Sequence, residues 1–137
     1  MEVHKLLETL HIAERLKDEL RHCDTSKGRR ESVAEHSWRI ALMALFMQDE
    51  FPELDINKVI RMCLIHDLGE CFTGDIPTFL KSASDEKKED TALFSWVASL
   101  PAPYNMELAA LYTEMGALQT DEAKLYKALD KLEAVIQ

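Results

Sequence analysis

Two histidines and two aspartates lie where this sequence is otherwise apolar and helical. His36, the adjacent pair His66 and Asp67, and Asp130 each interrupt a stretch of mostly hydrophobic neighbours. Imidazole nitrogens and carboxylate oxygens together suit a divalent first-row metal, and four protein ligands leave coordination positions for water and substrate. The residue types and their placement therefore predict an open metal site that performs chemistry.

Each of these four residues also has a structural interpretation. His36 and His66 lie on inward helix faces, and either one alone is more often a hydrogen-bonded core histidine than a ligand. Asp67 weakens that interpretation, because a carboxylate beside an inward histidine is costly to bury without a cation or strong hydrogen bonds. For Asp130, an ion pair with a neighbouring lysine on a solvated face is the better interpretation of its own segment.

Two more carboxylates follow the His-Asp pair. Glu70 comes one helical turn after His66, and Asp75 lies in a turn with Gly74 and Pro77. A side chain that holds a metal cannot freely transfer protons, so metal-assisted hydrolysis needs an additional acid or base. Glu70 and Asp75 are the candidates, although a surface glutamate at a helix end and a turn-forming aspartate explain the local sequence at least as well.

Composition limits the number of domains and the partners. With 137 residues, 47% of them hydrophobic, the chain can bury one core, and we expect a single domain over residues 1–137. A net charge of −9 disfavours a nucleic acid polymer or an anionic membrane as partner. The segment from Arg21 to Arg39 is mildly basic and includes Arg29 and Arg30, so a small anionic ligand fits better.

Cysteine usage and hydropathy indicate the compartment. The odd number of cysteines, Cys23, Cys63 and Cys71, and the lack of a Cys-x-x-Cys pair disfavour a disulfide framework and a thiolate zinc site. The sequence contains neither a secretory leader nor an uncharged stretch long enough to span a bilayer. We therefore expect a soluble protein in a reducing cytoplasm.

Apolar residues recur at three- and four-residue intervals, and only 4 Gly and 4 Pro are present, which predicts an all-α bundle of about six helices. Ser32 with Glu35 predicts a capping box before the second helix, and Asp55 and Ser84 are expected to cap the third and fourth. The apolar stripe of the last helix has no evident partner, so a homodimer is a reasonable expectation. The first expected helix begins near the N-terminus and ends near residue 21. The other five are expected over residues 33–50, 56–70, 84–100, 105–117 and 120–137.

Four segments, taken in order, resemble the successive motifs of HD-domain phosphohydrolases, and the nearest branch is the YfbR-type 5′-deoxynucleotidases. The segments are Ser32–Arg39, Leu64–Glu70, Thr73–Pro77 and Lys127–Leu132. The resemblance covers about residues 6–137 and implies one HD domain, a helical bundle around a mononuclear metal site. Members of this family usually continue beyond the residue where this chain ends.

The resemblance also implies a role for individual residues. It makes Glu70 and Asp75 catalytic and Arg21 phosphate-binding, and its ligands to one divalent metal are His36, His66, Asp67 and Asp130. We further expect His22 at the substrate, and Arg29 or Arg30 to assist Arg21 there. Related nucleotidases can carry a tryptophan after that arginine, where it crowds the sugar 2′ position, whereas this chain has His22. Selectivity for deoxyribose is therefore left open.

The implied activity is hydrolysis of a (deoxy)nucleoside 5′-monophosphate to nucleoside and phosphate. The ligand set accepts manganese, cobalt, iron, nickel, zinc or magnesium. One alternative is an HD phosphohydrolase acting on a cyclic nucleotide, a nucleoside triphosphate or an alarmone. Another is a non-catalytic, metal-stabilised helical scaffold that binds nucleotides, and a third is a helical interaction module with no metal.

Overall fold

Helices dominate the part of the chain that the structure describes. A computed structural model describes residues 1–74 and 80–137, and the elements there follow the order α1 (Val3–Ala13), α2 (Arg15–Asp18), β1 (Leu20–Asp24), β2 (Arg30–Ser32), α3 (Val33–Leu45), α4 (Ile56–Ile65), α5 (Glu70–Thr73), α6 (Ala83–Ala98), α7 (Tyr104–Ala117) and α8 (Asp121–Ile136). Six of these helices have ten residues or more, and α2 and α5 are single turns. The predicted helical bundle is confirmed.

A small antiparallel hairpin replaces the end of the predicted first helix. The helix stops at Ala13, and after the single turn α2 the strands β1 and β2 pair with Leu20 opposite Ser32. Exposure alternates along β1, so Arg21 and Cys23 point inward and the residues between them point outward. This period of two explains why the helical interpretation was wrong here, and residues 25–29 connect the two strands.

Local hydrogen bonds define the start of α3 and α4 as the sequence predicts. The Glu35 amide donates to Ser32 Oγ at 3.2 Å and the Ser32 amide donates to Glu35 Oε2 at 2.9 Å, which completes the capping box. Asp55 accepts from the Lys58 amide at 3.1 Å. Both helices end earlier than expected, α3 at Leu45 and α4 at Ile65, so the His-Asp pair lies in the turn after α4.

The cap of α6 is Ser82, and the prediction of Ser84 is wrong. Ser82 Oγ accepts from the Asp85 amide at 3.2 Å, and Asp85 accepts from the Ser82 amide at 3.1 Å. The physical reason is the second hydrogen bond of a capping box, because Asp85 lies three residues after Ser82 and returns a hydrogen bond to it. Ser84 has Lys87 at that position. Thr120 caps α8 as expected, accepting from the Ala123 amide at 3.2 Å.

The main core lies between α3, α4, α7 and α8, with part of α6 against it. Its buried members come from all five helices, and they include Ile40, Val59, Met62, Cys63, Leu93, Tyr112 and Leu129. The Tyr112 hydroxyl donates to the Ile65 carbonyl at 2.6 Å, which fixes the end of α4 just before the His-Asp pair. None of the helices within residues 1–74 and 80–137 is long and apolar enough to cross a membrane.

Candidate metal centre

Four donor atoms from three separate elements converge at one point. His66 Nε2 lies 3.3 Å from His36 Nε2, 2.9 Å from Asp67 Oδ2 and 3.3 Å from Asp130 Oδ1. His36 Nε2 lies 2.9 Å from Asp130 Oδ1 and 3.8 Å from Asp67 Oδ2. Donor atoms bound at about 2.1 Å to one metal are roughly 3 to 3.4 Å apart, so four of these five separations fit a shared ion, and the 3.8 Å between His36 and Asp67 is longer.

Each donor is directed by the element that carries it. His36 is fully buried on α3, and Asp130 approaches it from α8. His66 donates through Nδ1 to the Cys63 carbonyl at 2.7 Å, which leaves Nε2 facing the other three residues. Lys127 Nζ lies 3.8 Å from the second oxygen of Asp130. The neighbouring lysine suggested by the sequence is thus present, while the other oxygen of Asp130 contacts the histidines.

The electrostatics of this cluster require positive charge. Burial opposes protonation of His66, but the carboxylates of Asp67 and Asp130 outweigh it and raise the pKa of His66 to about 10. Burial alone would raise the pKa of Asp130, and hydrogen bonds from His36 and His66 instead hold it well below its usual range. All four groups, two imidazole nitrogens and two carboxylate oxygens, offer a lone pair to positive charge. A divalent cation fits this set of donor atoms.

Arg21 and Glu70 lie next to Asp67. Arg21 points inward from β1, with Nη1 3.9 Å from Asp67 Oδ2 and Nε 3.2 Å from Glu31 Oε2. Glu70 is the first residue of α5, its side chain is buried, and its amide donates to the Asp67 carbonyl at 3.0 Å. Asp75 lies outside the described residues. The structure therefore places the predicted phosphate-binding arginine 3.9 Å from one of the four donors, and it places the backbone of the predicted catalytic glutamate next to the same residue.

The remaining predicted substrate-binding residues lie elsewhere on the hairpin. His22 is exposed on the face of β1 opposite Arg21, and its ring contacts Arg30 Nη2 at 3.5 Å. Arg29 is also exposed and pairs with Glu35 at 3.0 Å. The structure does not bring these three side chains to the four donors, and their roles in substrate binding stay predictions.

Two buried glutamates next to His36 were missed by sequence reasoning. His36 Nδ1 donates to Glu133 Oε2 at 2.5 Å, and Glu31 lies next to Glu133. Burial and the contact with Glu133 raise the pKa of Glu31 to about 7. Glu133 follows Tyr126 and Leu129 at helical spacing on the inward stripe of α8. A charged residue on an apolar stripe is the same signal that identified Asp130, so Glu133 could have been found.

Comparison with known proteins agrees with this geometry. A family model described as HD domain matches residues 13–137. The chain belongs to the HD-domain family. This confirms the resemblance predicted from the four motifs, and it agrees with the helical bundle and with the convergence of a histidine, a His-Asp pair and a distant aspartate.

Several relatives of this HD-domain chain are named for an activity. Human 5′-deoxynucleotidase HDDC2 is 34% identical over 111 residues, which are 80% of this chain and 53% of the relative. The mouse protein of the same name is 35% identical over 109 residues, 78% of this chain and 54% of the relative. The chain thus spans about half the length of these curated relatives.

Solved structures of similar proteins share the fold. A protein from Magnetospirillum magnetotacticum MS-1, described as a predicted metal-dependent phosphohydrolase, matches with a TM-score of 0.84 and 34% identity, over 98% of this chain and 69% of that one. A conserved hypothetical protein from Pyrococcus furiosus matches with a TM-score of 0.75 and 32% identity, over 93% of this chain and 76% of that one.

Helix α6 packs closely against the His-Asp turn of this HD domain. A Cβ atom on Gly69 would lie 2.8 Å from Glu89 Cγ, so only glycine allows Glu89 to approach here. The Glu89 carboxylate accepts from Thr73 Oγ1 at 3.0 Å and from Lys81 Nζ at 3.4 Å. Since both contacts hold the glutamate in place, it cannot easily move away from an added methyl group.

We expect Gly69→Ala to lower the free energy of unfolding by about 1 to 3 kcal/mol, the usual cost of overpacking. Gly116→Ala is the matched control, because nothing lies within 4 Å of its Cβ position inside α7 and alanine favours the helix by about 0.5 to 1 kcal/mol. Urea unfolding of both variants measures the difference. Equal effects in the two variants would contradict the close packing at Gly69.

Proposed function

We propose that this HD-domain protein is a metal-dependent phosphohydrolase that converts (deoxy)nucleoside 5′-monophosphates to nucleoside and phosphate. The observation that carries the proposal is the convergence of two imidazoles and two carboxylates beside Arg21 and Glu70. The relatives named 5′-deoxynucleotidase support the substrate class, and the human and mouse proteins are 34% and 35% identical to this chain. The solved structure described as a predicted metal-dependent phosphohydrolase supports the reaction class.

The proposed ligands are His36, His66, Asp67 and Asp130, and they bind one divalent ion. Such an ion polarises the phosphoryl group and acidifies a water molecule. Both histidines must then be neutral, and the Nδ1 contacts with Glu133 and the Cys63 carbonyl leave Nε2 of each ring available. Manganese, cobalt, iron, nickel, zinc and magnesium all suit this donor set.

The other residues complete a phosphomonoester hydrolysis. The water oxygen attacks phosphorus, and Glu70 takes the proton that the water gives up. The bond between phosphorus and the 5′ oxygen breaks with its electron pair on that oxygen, which takes the proton from Glu70 and leaves as the nucleoside hydroxyl. Arg21 binds phosphate oxygens through charge-assisted hydrogen bonds, and Asp75 orients the water or the sugar. Arg29 and Arg30 assist at the hairpin edge.

The sugar preference depends on the residue after Arg21. His22 is exposed on the outer face of β1, where it contacts Arg30 rather than Asp67 or His66. His22 is not the tryptophan of the related nucleotidases, so the crowding of the 2′ position by that tryptophan is not expected in this chain. We therefore include both ribose and deoxyribose nucleotides in the proposed substrate class.

Elemental analysis and a phosphate-release screen test the function together. We expect about one divalent ion per chain, and release of phosphate from deoxy- and ribonucleoside 5′-monophosphates. Glu70→Gln should keep the ion and reduce turnover about 10²- to 10⁴-fold, because the proton acceptor is lost. His66→Ala should lose the ion as well as the activity.

Glu53→Gln is the matched control, since Glu53 is exposed and distant in sequence from every proposed ligand. Turnover of phosphodiesters or triphosphates without turnover of monophosphates would reject the nucleotidase function. A scaffold without catalysis would show bound metal and no phosphate release from any substrate. If the purified protein contains no metal and His66→Ala does not change its folding, the metal centre itself is rejected.

Arg21→Ala is expected to raise KM and to lower kcat/KM about 10- to 100-fold at unchanged metal content, since a hydrogen bond to a charged group contributes about 1.5 to 3 kcal/mol. Steady-state kinetics with a nucleoside monophosphate measure the effect. Lys27→Ala removes a cation from the exposed end of the same hairpin and should leave kcat/KM within about twofold. Unchanged kinetics in Arg21→Ala would remove Arg21 from the substrate site.

Assembly and location extend the proposal. We propose a homodimer, supported by the exposed apolar residues Leu132, Val135 and Ile136 at the end of α8. Sedimentation at micromolar concentration should give twice the mass of the chain, and a monomer would contradict this.

We propose a cytoplasmic location, which the three free cysteines support and cell fractionation tests.

A further inference from the structure

A second cluster of charged groups lies behind His36, on the side of the ring away from the four donors. Glu31 and Glu133 are 2% and 0% exposed, and both lie near His36 Nδ1. Two arginines approach the outer side of this pair. Arg21 Nε lies 3.2 Å from Glu31 Oε2, and Arg39 Nη1 lies 3.5 Å from Glu133 Oε1. The proposed chemistry uses neither glutamate.

The contact between His36 and Glu133 gives the two ring nitrogens different roles. Nδ1 donates to Glu133 Oε2 at 2.5 Å, while Nε2 lies 3.3 Å from His66 Nε2. A neutral imidazole carries one proton, so a proton held on Nδ1 leaves the lone pair of Nε2 free for a metal. The same hydrogen bond fixes the rotation of the ring, since Glu133 is itself enclosed in the core.

These residues resemble a second metal site only by composition. The ligand atoms of Glu31, His36 and Glu133 lie within 4.8 Å of one another. Arg21 and Arg39 already supply positive charge to the two carboxylates, which disfavours a further cation there. In addition, His36 Nδ1 cannot both donate to Glu133 and bind an ion. The cluster therefore serves the centre on the other side of the ring.

We propose that Glu133 is a positioning residue that holds His36 with its proton on Nδ1 and its Nε2 directed at the metal. The inference rests on the proposed metal centre and adds a residue outside its ligand set. Loss of an outer-shell hydrogen-bond partner of a histidine ligand typically weakens metal binding 10- to 100-fold. Glu133 reaches the ion only through His36, so its effect should appear first in metal affinity.

Titration of the metal-free protein with Co²⁺ tests the proposal. Glu133→Leu removes the acceptor, and we expect Co²⁺ to bind 10- to 100-fold more weakly with an altered visible absorption spectrum. Glu133→Gln keeps an acceptor oxygen and should recover part of the affinity. Glu122→Leu is the control on the same helix, because Glu122 is half-buried and accepts from the Asp55 amide instead of contacting His36. Its Co²⁺ affinity should stay within threefold of the wild type.

Unfolding of the metal-free variants separates positioning from stability. If Glu133→Leu is folded and binds Co²⁺ as tightly as the wild type, the inference is overturned while the metal centre stands. If the wild type binds two ions and Glu133→Leu loses one, the cluster is a second metal site and the inference is again wrong. If the wild type binds no divalent ion, the proposed function and the inference fall together.

A measurement on the wild type decides the matter if Glu133→Leu does not fold. In the Zn²⁺-loaded protein with ¹⁵N-labelled histidine, we expect the His36 Nδ1 proton to be visible, shifted downfield and slow to exchange with water. This signal should be absent from exposed His4 and His22, which serve as internal controls. A His36 ring that binds Zn²⁺ through Nδ1, or whose Nδ1 proton exchanges freely, would overturn the role of Glu133.

Discussion

Burial of charge around His36 is the constraint on which the rest of the structure depends. A fully buried imidazole lies between Asp130 on one side and Glu133 on the other, and each of these carboxylates alone would be costly to enclose in an apolar bundle. The cost is offset only if donors and cations are placed accurately. Helices α3, α4 and α8 pack together in the core, and rigid helices place side chains more accurately than loops do.

Contacts from the core fix the position of the residues that follow α4. The Tyr112 hydroxyl holds the Ile65 carbonyl, and the next two residues are His66 and Asp67. The turn then passes Gly69, where Glu89 approaches too closely for any side chain, and reaches Glu70 at the start of α5. A ligand pair and the proposed catalytic glutamate are therefore located by contacts from α7 and α6, which carry no proposed ligand.

Sequence reasoning succeeded where the chemistry is local or the residue is out of place. The capping box at Ser32 depends on residues three apart, and Asp130 is conspicuous among apolar neighbours, so both were predictable. Glu133 carries the same signal on the apolar stripe of α8 but was missed, because a glutamate near the end of a helix is ordinarily exposed, whereas in the structure it is buried. Ser84 was preferred to Ser82 because the helical pattern does not show which serine has a reciprocal acceptor.

The wrong prediction of a helix where the hairpin lies has the largest chemical consequence. Side chains repeat with a different period on a strand than on a helix, so they point in different directions. On a helix, Arg21 and His22 would project about 100° apart and could serve one site together, whereas on β1 they point to opposite faces. A shift of one residue in the pairing would exchange the two. The register at the start of β1 is set by Leu20 opposite Ser32 and by the Val33 amide, which donates to the Glu19 carbonyl at 2.8 Å, and it shifts between Leu20 and Asp24. Since Ser32 also caps the helix that carries His36, the cap that begins α3 fixes the proposed phosphate-binding arginine relative to the proposed metal ligand.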